Sequence, residues 1–282
     1  MKNYLIYNGS LVPEEEVLIS PLNRGMMYGD GCFDTLRTYK GKFFKLEEHF
    51  KRFINSANYL GIETYFEFAD FKLKILELLE ANHLMKKDAI IRVQCWRDGG
   101  RGYLSKSTNA HWITSSSEIE PYKESIQLSI VDVRAIPADA LERIFKLSNG
   151  LNYIKAANQS NLSGADDALM LTMNKKVSET TKANIFWVKE NTVFTPSINC
   201  DLLPGITRNT IIDLLAKTSL FSVVEGEFEV KDVEHSEAVF VTNSVREIVS
   251  VTSIDGTRFD SSHPVVHSIK DNFEEFKRQN LS

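Results

Sequence analysis

The hydrophobic positions of this chain repeat at two different periods, which predicts that helices and strands alternate along it. Apolar residues at helical spacing predict helices over residues 45–60 and 69–84. Residues 89–96 alternate apolar and polar side chains, as a strand with one buried face does. Asn8-Gly9 lies between two short apolar runs and predicts a hairpin, because both residues tolerate a positive φ.

The second half of the chain predicts a further mixture of elements. We expect a helix over 152–163, a helix from near Thr207, and strands at 126–133, 167–172, 184–189 and 237–242. The polar segment 115–122 contains a proline and predicts a linker. We therefore expect an α+β protein with an N-terminal α/β domain over 1–117, a linker over 118–124, and a C-terminal domain over 125–282.

Composition narrows the class of protein without identifying it. The chain has 282 residues and a formal net charge of −5, which gives no electrostatic case for binding nucleic acid or an anionic membrane. Cys32, Cys95 and Cys200 form neither a metal-ligating spacing nor a disulfide framework. No segment is long and apolar enough to suggest a membrane span. These features predict a cytoplasmic protein that acts on a small molecule.

Three segments in the second half carry the residue types that one kind of chemistry needs. They are Lys146-Leu-Ser-Asn149, the run from Glu179 to Phe186, and Leu203-Pro-Gly205-Ile-Thr207-Arg208. An amine can form a Schiff base with an aldehyde, and a carboxylate can hold a pyridine nitrogen protonated. A helix N-terminus can bind a phosphate. Together they indicate pyridoxal 5'-phosphate as the cofactor.

The order of residues from Glu179 to Arg208 resembles the signature of the class IV aminotransferases, which are fold-type IV pyridoxal-phosphate enzymes. The resemblance extends from about Asn8 to Ile254. It implies a two-domain enzyme with a small N-terminal α/β domain and a larger, β-barrel-like C-terminal domain with helices that binds the cofactor. It also implies a homodimer. A catalytically silent protein on this fold is disfavoured, because both Lys146 and Glu179 are present.

Lys146 and Lys155 are both candidates for the cofactor-binding lysine, and their spacing to later residues distinguishes them. The family's cofactor-binding lysine is followed, after two residues, by an asparagine. Lys146 has Asn149 at that position and lies eighteen residues before Gly164, whereas Lys155 has neither feature. The resemblance therefore implies that Lys146 is catalytic and that Lys155 is a surface charge. Branched-chain members place a tyrosine directly after the asparagine, but Gly150 stands here.

The resemblance also implies which residues bind the cofactor. Glu179 would bind the ring nitrogen, and its alternative role is an exposed carboxylate at a strand end. The phosphate would be bound by Arg52 of a His-x-x-Arg motif, by Ser244, and by the helix start at Gly205, Ile206 and Thr207. The alternatives are a solvated arginine and an ordinary helix start. Asn184 is expected to organise the neighbouring loop.

Substrate recognition is predicted from two glycine-rich segments. The segment that contains Tyr28, Gly29-Asp-Gly31 and Phe33 resembles the entrance loop of D-amino-acid aminotransferases and aminodeoxychorismate lyases. Tyr28 and Phe33 are therefore candidate substrate contacts. Branched-chain aminotransferases usually lack this Gly-Asp-Gly.

The second segment, Gly99-Gly-Arg101-Gly-Tyr103, resembles a loop of aminodeoxychorismate lyases. Arg97 and Arg101 could bind two substrate carboxylates, or could be solvated arginines of a hairpin. We therefore expect a lyase that forms p-aminobenzoate and pyruvate. The alternative is an aminotransferase of D-amino acids or of branched-chain amino acids.

Overall fold

The computed structural model describes residues 3–218 and 220–282, and the chain forms two compact units. The first unit contains the residues up to Glu120, then Phe145–Asn149 and Asn280–Ser282. The second contains Pro121–Ile144 and Gly150–Gln279. The sequence placed all of 125–282 in one domain, whereas Phe145–Asn149, with Lys146, belongs to the first unit.

The first unit is an antiparallel sheet with three α-helices and a short 3-10 helix (Glu14–Glu16) among its described residues. Its strands are β1 (Tyr4–Tyr7), β2 (Ser10–Pro13), β3 (Gly31–Tyr39), β4 (Lys42–Phe43), β5 (Ala89–Arg97) and β6 (Ala110–Glu118). Its helices are α1 (Arg24–Tyr28), α2 (Leu46–Tyr59) and α3 (Phe68–Ala81). The strand order is β2-β1-β6-β5-β3-β4. The predicted hairpin at Asn8-Gly9, the two predicted helices and the strand at 89–96 are confirmed.

The prediction of a linker from residue 115 is wrong for its first four residues. The three serines from Ser115 to Ser117 lie in β6, opposite Arg92, Ile91 and Ile90 of β5. Serine is unusual in strands, but backbone pairing with a long central strand outweighs this weak preference. The chain leaves the sheet only after Glu118.

Strand register also brings together two cysteines that are far apart in sequence. Cys32 of β3 lies opposite Cys95 of β5, and their sulfur atoms are 3.4 Å apart. Both side chains are buried and both are free thiols. The hydrogen bond with Cys95, together with burial, holds the pKa of Cys32 far above its ordinary value, so this thiol stays protonated.

The second unit is built on a larger mixed sheet. Its strands are β7 (Ser125–Arg134), β8 (Asp167–Leu171), β9 (Val177–Thr180), β10 (Asn184–Lys189), β11 (Thr192–Pro196), β12 (Ser222–Gly226), β13 (Ala238–Asn243), β14 (Glu247–Ile254) and β15 (Thr257–Arg258). Its helices are α4 (Leu151–Leu162), α5 (Ile206–Ala216), α6 (Val230–Glu234) and α7 (Pro264–Gln279). The strand order is β12-β11-β10-β13-β14-β7-β8-β9, and β15 pairs with β14.

This sheet curls because its last strand in the order leads directly into its third. A tight turn joins β9 to β10, and in it Thr180 N donates to Ala183 O at 2.8 Å. A buried core of mostly aliphatic residues surrounds Trp187, and α4 packs Ala156 against Ala168 and Met170 of β8. Glu179 lies at the end of β9, next to this turn, and its carboxylate is buried.

Candidate active site

Lys146 is held by its backbone against the first unit's sheet. Phe33 N donates to Lys146 O at 3.0 Å, and Lys146 N donates to Ser56 Oγ at 3.0 Å. The next residue, Leu147, forms a bridge with Cys32. The lysine amine lies 4.8 Å from the centre of the Phe33 ring. Lys155, by contrast, is exposed on α4.

A second cation lies against the same aromatic ring. The guanidinium of Arg92 is 3.8 Å from the centre of Phe33, and its Nε donates to Gln94 at 3.1 Å. Burial of the guanidinium lowers the pKa of Arg92 from its ordinary value, and the charge of Asp34 opposes this shift. The sequence analysis missed Arg92, because one polar position in an alternating strand carries no distinctive signal.

Arg52 forms a buried ion pair in the first unit. Its Nε and Nη2 donate to the two oxygens of Asp34 at 2.7 and 2.9 Å, and His49 Nδ1 lies 2.8 Å from the same carboxylate. Burial is the largest single influence on Asp34 and opposes its ionisation, but the charges and hydrogen bonds of Arg52 and His49 together outweigh it and hold the pKa of Asp34 well below its usual range. Burial lowers the pKa of His49. The pair fixes the direction of Arg52, whose role at a phosphate remains a prediction.

The entrance segment and the glycine-rich loop are tied to each other. Tyr28 accepts a hydrogen bond from Gly102 N at 2.9 Å. Arg24, which is buried, donates to Gly100 O and Gly102 O at 3.0 and 2.7 Å and to Asp30 at 2.7 Å. Arg24 carries no motif of its own, and sequence reasoning missed this role.

The two arginines predicted to bind substrate differ in their surroundings. Arg97 donates to Asp30 Oδ2 at 3.0 Å, to Ser107 O at 3.0 Å and to Gly61 O at 3.1 Å. These bonds hold its guanidinium inside the first unit, so it joins segments of that unit. Arg101 is exposed in the loop. The geometry therefore does not pair them for a substrate with two carboxylates.

Glu179 of β9 is buried and surrounded by hydrogen-bond donors in the second unit. Its Oε1 accepts from Tyr153 Oη at 2.6 Å, and its Oε2 accepts from Leu203 N at 3.2 Å and Asn184 Nδ2 at 3.3 Å. It is 6% exposed, which rules out the alternative of a solvated carboxylate at a strand end. Tyr153 in turn accepts from Arg143 Nη2 at 2.6 Å.

The start of α5 follows the same network. Asn184 Nδ2 also donates to Leu203 O at 2.8 Å, which confirms that Asn184 organises this loop. Gly205 is the N-cap, and a β-carbon there would collide with Asn184 Oδ1. Within the described residues no side chain caps the helix. The first amides of α5, at Ile206 and Thr207, are therefore suited to an anion.

Ser244, also predicted to bind the phosphate, lies in the turn after β13. Asn243 Oδ1 accepts from Val245 N and Arg246 N at 3.0 and 2.8 Å and shapes this turn. Nearby on β13, Thr242 Oγ1 is buried and has no hydrogen-bond partner among the described residues. A buried hydroxyl without a partner is costly, so a bound group would satisfy it.

In the second unit, a buried strand-end carboxylate and an uncapped, glycine-led helix start suit the ring nitrogen and the phosphate of pyridoxal phosphate. Residues 31–254 match the family model described as amino-transferase class IV. The chain belongs to this family and is a pyridoxal-phosphate-dependent aminotransferase.

Named relatives span nearly the whole chain. A Methanocaldococcus jannaschii protein that carries the name of a putative branched-chain-amino-acid aminotransferase is 33% identical, over 98% of this chain and 96% of its own. A D-alanine aminotransferase of Bacillus licheniformis is 26% identical, over 92% of this chain and 91% of its own.

Solved structures agree with this fold. The branched-chain aminotransferase of Thermoproteus uzoniensis with norvaline has a TM-score of 0.93 at 24% identity, covering 100% of this chain and 99% of that one. The branched-chain amino acid aminotransferase of Thermobaculum terrenum, in its PLP form, has a TM-score of 0.91 at 22% identity, covering 100% and 98%. In the described residues no helix is long and apolar enough to cross a membrane.

The expectation of an aminodeoxychorismate lyase is wrong. The similar proteins carry the names of branched-chain and D-alanine aminotransferases. The expectation rested on the resemblance of two glycine-rich segments to lyase loops, with Arg97 and Arg101 as ligands of two substrate carboxylates. In the structure, Arg97 joins segments of its own unit and Arg24 binds the carbonyls of that loop.

Proposed function

We propose that this chain is an aminotransferase of branched-chain amino acids that uses Lys146 as its catalytic amine. The observation that carries the proposal is the pair of cations on one ring, since Lys146 Nζ and the Arg92 guanidinium both lie against Phe33. An amine beside a guanidinium is what a substrate with an amino group and a carboxylate requires. The higher identity of the branched-chain relative supports this choice over D-alanine.

The residues of the second unit fit pyridoxal phosphate. Glu179 is a buried carboxylate that accepts hydrogen bonds from Tyr153, Asn184 and Leu203, so it can face a protonated ring nitrogen. The start of α5 offers the Ile206 and Thr207 amides to the phosphate, and Ser244 is proposed to add a hydroxyl. In the first unit, Arg52 is proposed as the charged phosphate ligand.

When bound, pyridoxal phosphate supplies an electron sink for the carbanion that forms at the substrate α-carbon. Lys146 would act as the general base, whose Nζ accepts the substrate α-proton and later donates it again. The ionised Glu179 would keep the ring nitrogen protonated during the reaction. Arg92 binds the α-carboxylate, and Phe33 positions both cations.

An assay of product stereochemistry tests this proposal. The purified enzyme is incubated with 2-oxoglutarate and either L-leucine or D-alanine, and the glutamate formed is separated on a chiral column. We expect L-glutamate from L-leucine. Formation of D-glutamate from D-alanine, with no transfer from L-leucine, would overturn the substrate class and leave the aminotransferase assignment in place.

One observation favours D-amino acids as the second candidate. The Gly29-Asp30-Gly31 segment resembles the entrance loop of D-amino-acid aminotransferases, and Arg24 and Arg97 both anchor Asp30. The same assay with D-alanine decides between the two candidates.

A further inference from the structure

Behind Glu179 lies a buried arginine that the proposed mechanism does not use. Arg143 is 6% exposed and lies between β7 and α4 in the second unit. Its guanidinium carbon is 4.9 Å from the centre of the Tyr153 ring, and its Nη2 donates to Tyr153 Oη at 2.6 Å. Its Nε and Nη1 have no hydrogen-bond partner among the described residues. Burying a cation with so few partners is costly, which calls for a functional reason.

Arg143, Tyr153 and Glu179 form a row of hydrogen bonds, and the chemistry of their side chains fixes which atom donates in each. A guanidinium can only donate, so the Tyr153 oxygen must accept from Arg143. The single hydroxyl hydrogen of Tyr153 is then directed at Glu179 Oε1, 2.6 Å away. Burial, and then the charge of Glu179, raise the pKa of Tyr153 far above its ordinary value, so the hydroxyl keeps this hydrogen.

The second oxygen of Glu179 is held in the same sense. Leu203 N can only donate, and the Asn184 side chain must present its NH₂ group because the same nitrogen also donates to Leu203 O. Donors therefore approach both carboxylate oxygens. A carboxylate that accepts several hydrogen bonds is stabilised in its ionised form.

We propose that Arg143, acting through Tyr153, keeps Glu179 ionised and thereby keeps the proton on the cofactor's ring nitrogen instead of on the carboxylate. Arg143 and Tyr153 are thus positioning residues, since they act through Glu179. This inference rests on the proposed role of Glu179 at the ring nitrogen. Without the pair, Glu179 becomes more basic and takes the shared proton, so the ring loses its strength as an electron sink.

The experiment loads the enzyme and its variants with pyridoxal phosphate labelled with ¹⁵N at the ring and records the nitrogen resonance at neutral pH. The free labelled cofactor in acid and in alkali defines the positions of the protonated and unprotonated ring, and Glu179→Gln is expected at the unprotonated one. We expect Tyr153→Phe and Arg143→Met to move the resonance toward that position and to lower turnover roughly 10- to 100-fold. Arg143→Lys, which keeps a donating cation, should restore part of the wild-type position.

Tyr122→Phe is the matched control, because Tyr122 also stacks on an arginine of the second unit, Arg246 at 5.5 Å. This variant should leave the resonance unchanged. If Glu179→Gln shifts the resonance but Tyr153→Phe and Arg143→Met do not, the positioning role is overturned. If Glu179→Gln itself leaves the resonance protonated, the proposed function of Glu179 fails instead. Should one variant fail to fold, the other still decides the question.

Discussion

The surroundings of Lys146 and of Glu179 differ in which part of the residue the protein fixes. Lys146 is anchored by its backbone N–H and C=O, and its amine lies over the Phe33 ring at the end of a flexible side chain. Glu179 is anchored by its side chain, which accepts hydrogen bonds at both oxygens. A general base must carry a proton between two atoms, whereas a carboxylate that holds a charge must not move. The first unit thus fixes the backbone of Lys146, and the second unit fixes the side chain of Glu179.

The largest expected effect comes from removing the amine of Lys146. Lys146→Ala should lower turnover by about 10⁴-fold or more, because both the covalent and the proton-transfer roles are lost. Lys155→Ala is the matched control, since that lysine is exposed on α4, and it should retain wild-type turnover. Steady-state rates with L-leucine and 2-oxoglutarate measure both. A Lys146→Ala variant of normal rate would remove Lys146 from the mechanism.

Neutralising Glu179 should have the next largest effect. Glu179→Gln keeps the shape of the side chain but cannot hold a ring nitrogen protonated. We expect cofactor to remain bound, as judged by its absorbance after gel filtration, while turnover falls about 10²- to 10³-fold. Glu234→Gln, at an exposed position of α6, should change neither quantity. Unchanged turnover in Glu179→Gln would mean that the ring is held elsewhere.

The buried Asp34–Arg52 pair predicts an effect on stability and its pH dependence. Asp34 has a lowered pKa in the fold, so its contribution is present above the unfolded pKa of about 3.9 and is lost as the pH falls through the folded pKa. Asp34→Asn should therefore lower the free energy of unfolding at pH 7 by about 3 kcal/mol and flatten its fall in acid.

Denaturant titrations of the wild type and Asp34→Asn between neutral and acidic pH measure this difference. Asp88→Asn is the control, because Asp88 pairs with Arg37 at 2.6 Å but is more exposed, and it should cost less. If the two variants lost the same free energy of unfolding, burial of the Asp34–Arg52 pair would not determine how much the pair stabilises the fold.

The smallest effect separates the two arginines of β5. Arg92→Gln should raise KM about 10-fold with little change in kcat, because it removes a contact made equally in the ground and transition states. Arg97→Gln should instead lower the melting temperature, since Arg97 joins Asp30 to the backbone carbonyls of Leu60, Gly61 and Ser107. A raised KM in Arg97→Gln and a lowered melting temperature in Arg92→Gln would instead indicate that Arg97 binds the substrate.

The features that could be predicted from the sequence are those that depend on a short run of contiguous residues. The predicted helix near Thr207 and the loop role of Asn184 follow from short motifs, and both are confirmed. The strands and helices with strong periodicity were likewise predictable.

What the sequence did not predict depends on contacts between distant residues. Lys146 pairs with Phe33, more than a hundred positions earlier, and this places its segment in the first unit. Arg143 and Tyr153 meet Glu179 only through the fold, and neither has a local signature. The contacts of Arg97 could not be predicted, because a glycine-rich loop has the same sequence pattern whether its arginines bind substrate or backbone carbonyls of their own unit.

The central claim is that Lys146 carries the cofactor, and peptide mapping after borohydride reduction tests it most directly. The purified enzyme is reduced, digested with protease, and its peptides are sequenced by mass spectrometry for a pyridoxyl adduct. We expect the adduct on the peptide that contains Lys146. An adduct on Lys155, or on another lysine, would contradict it.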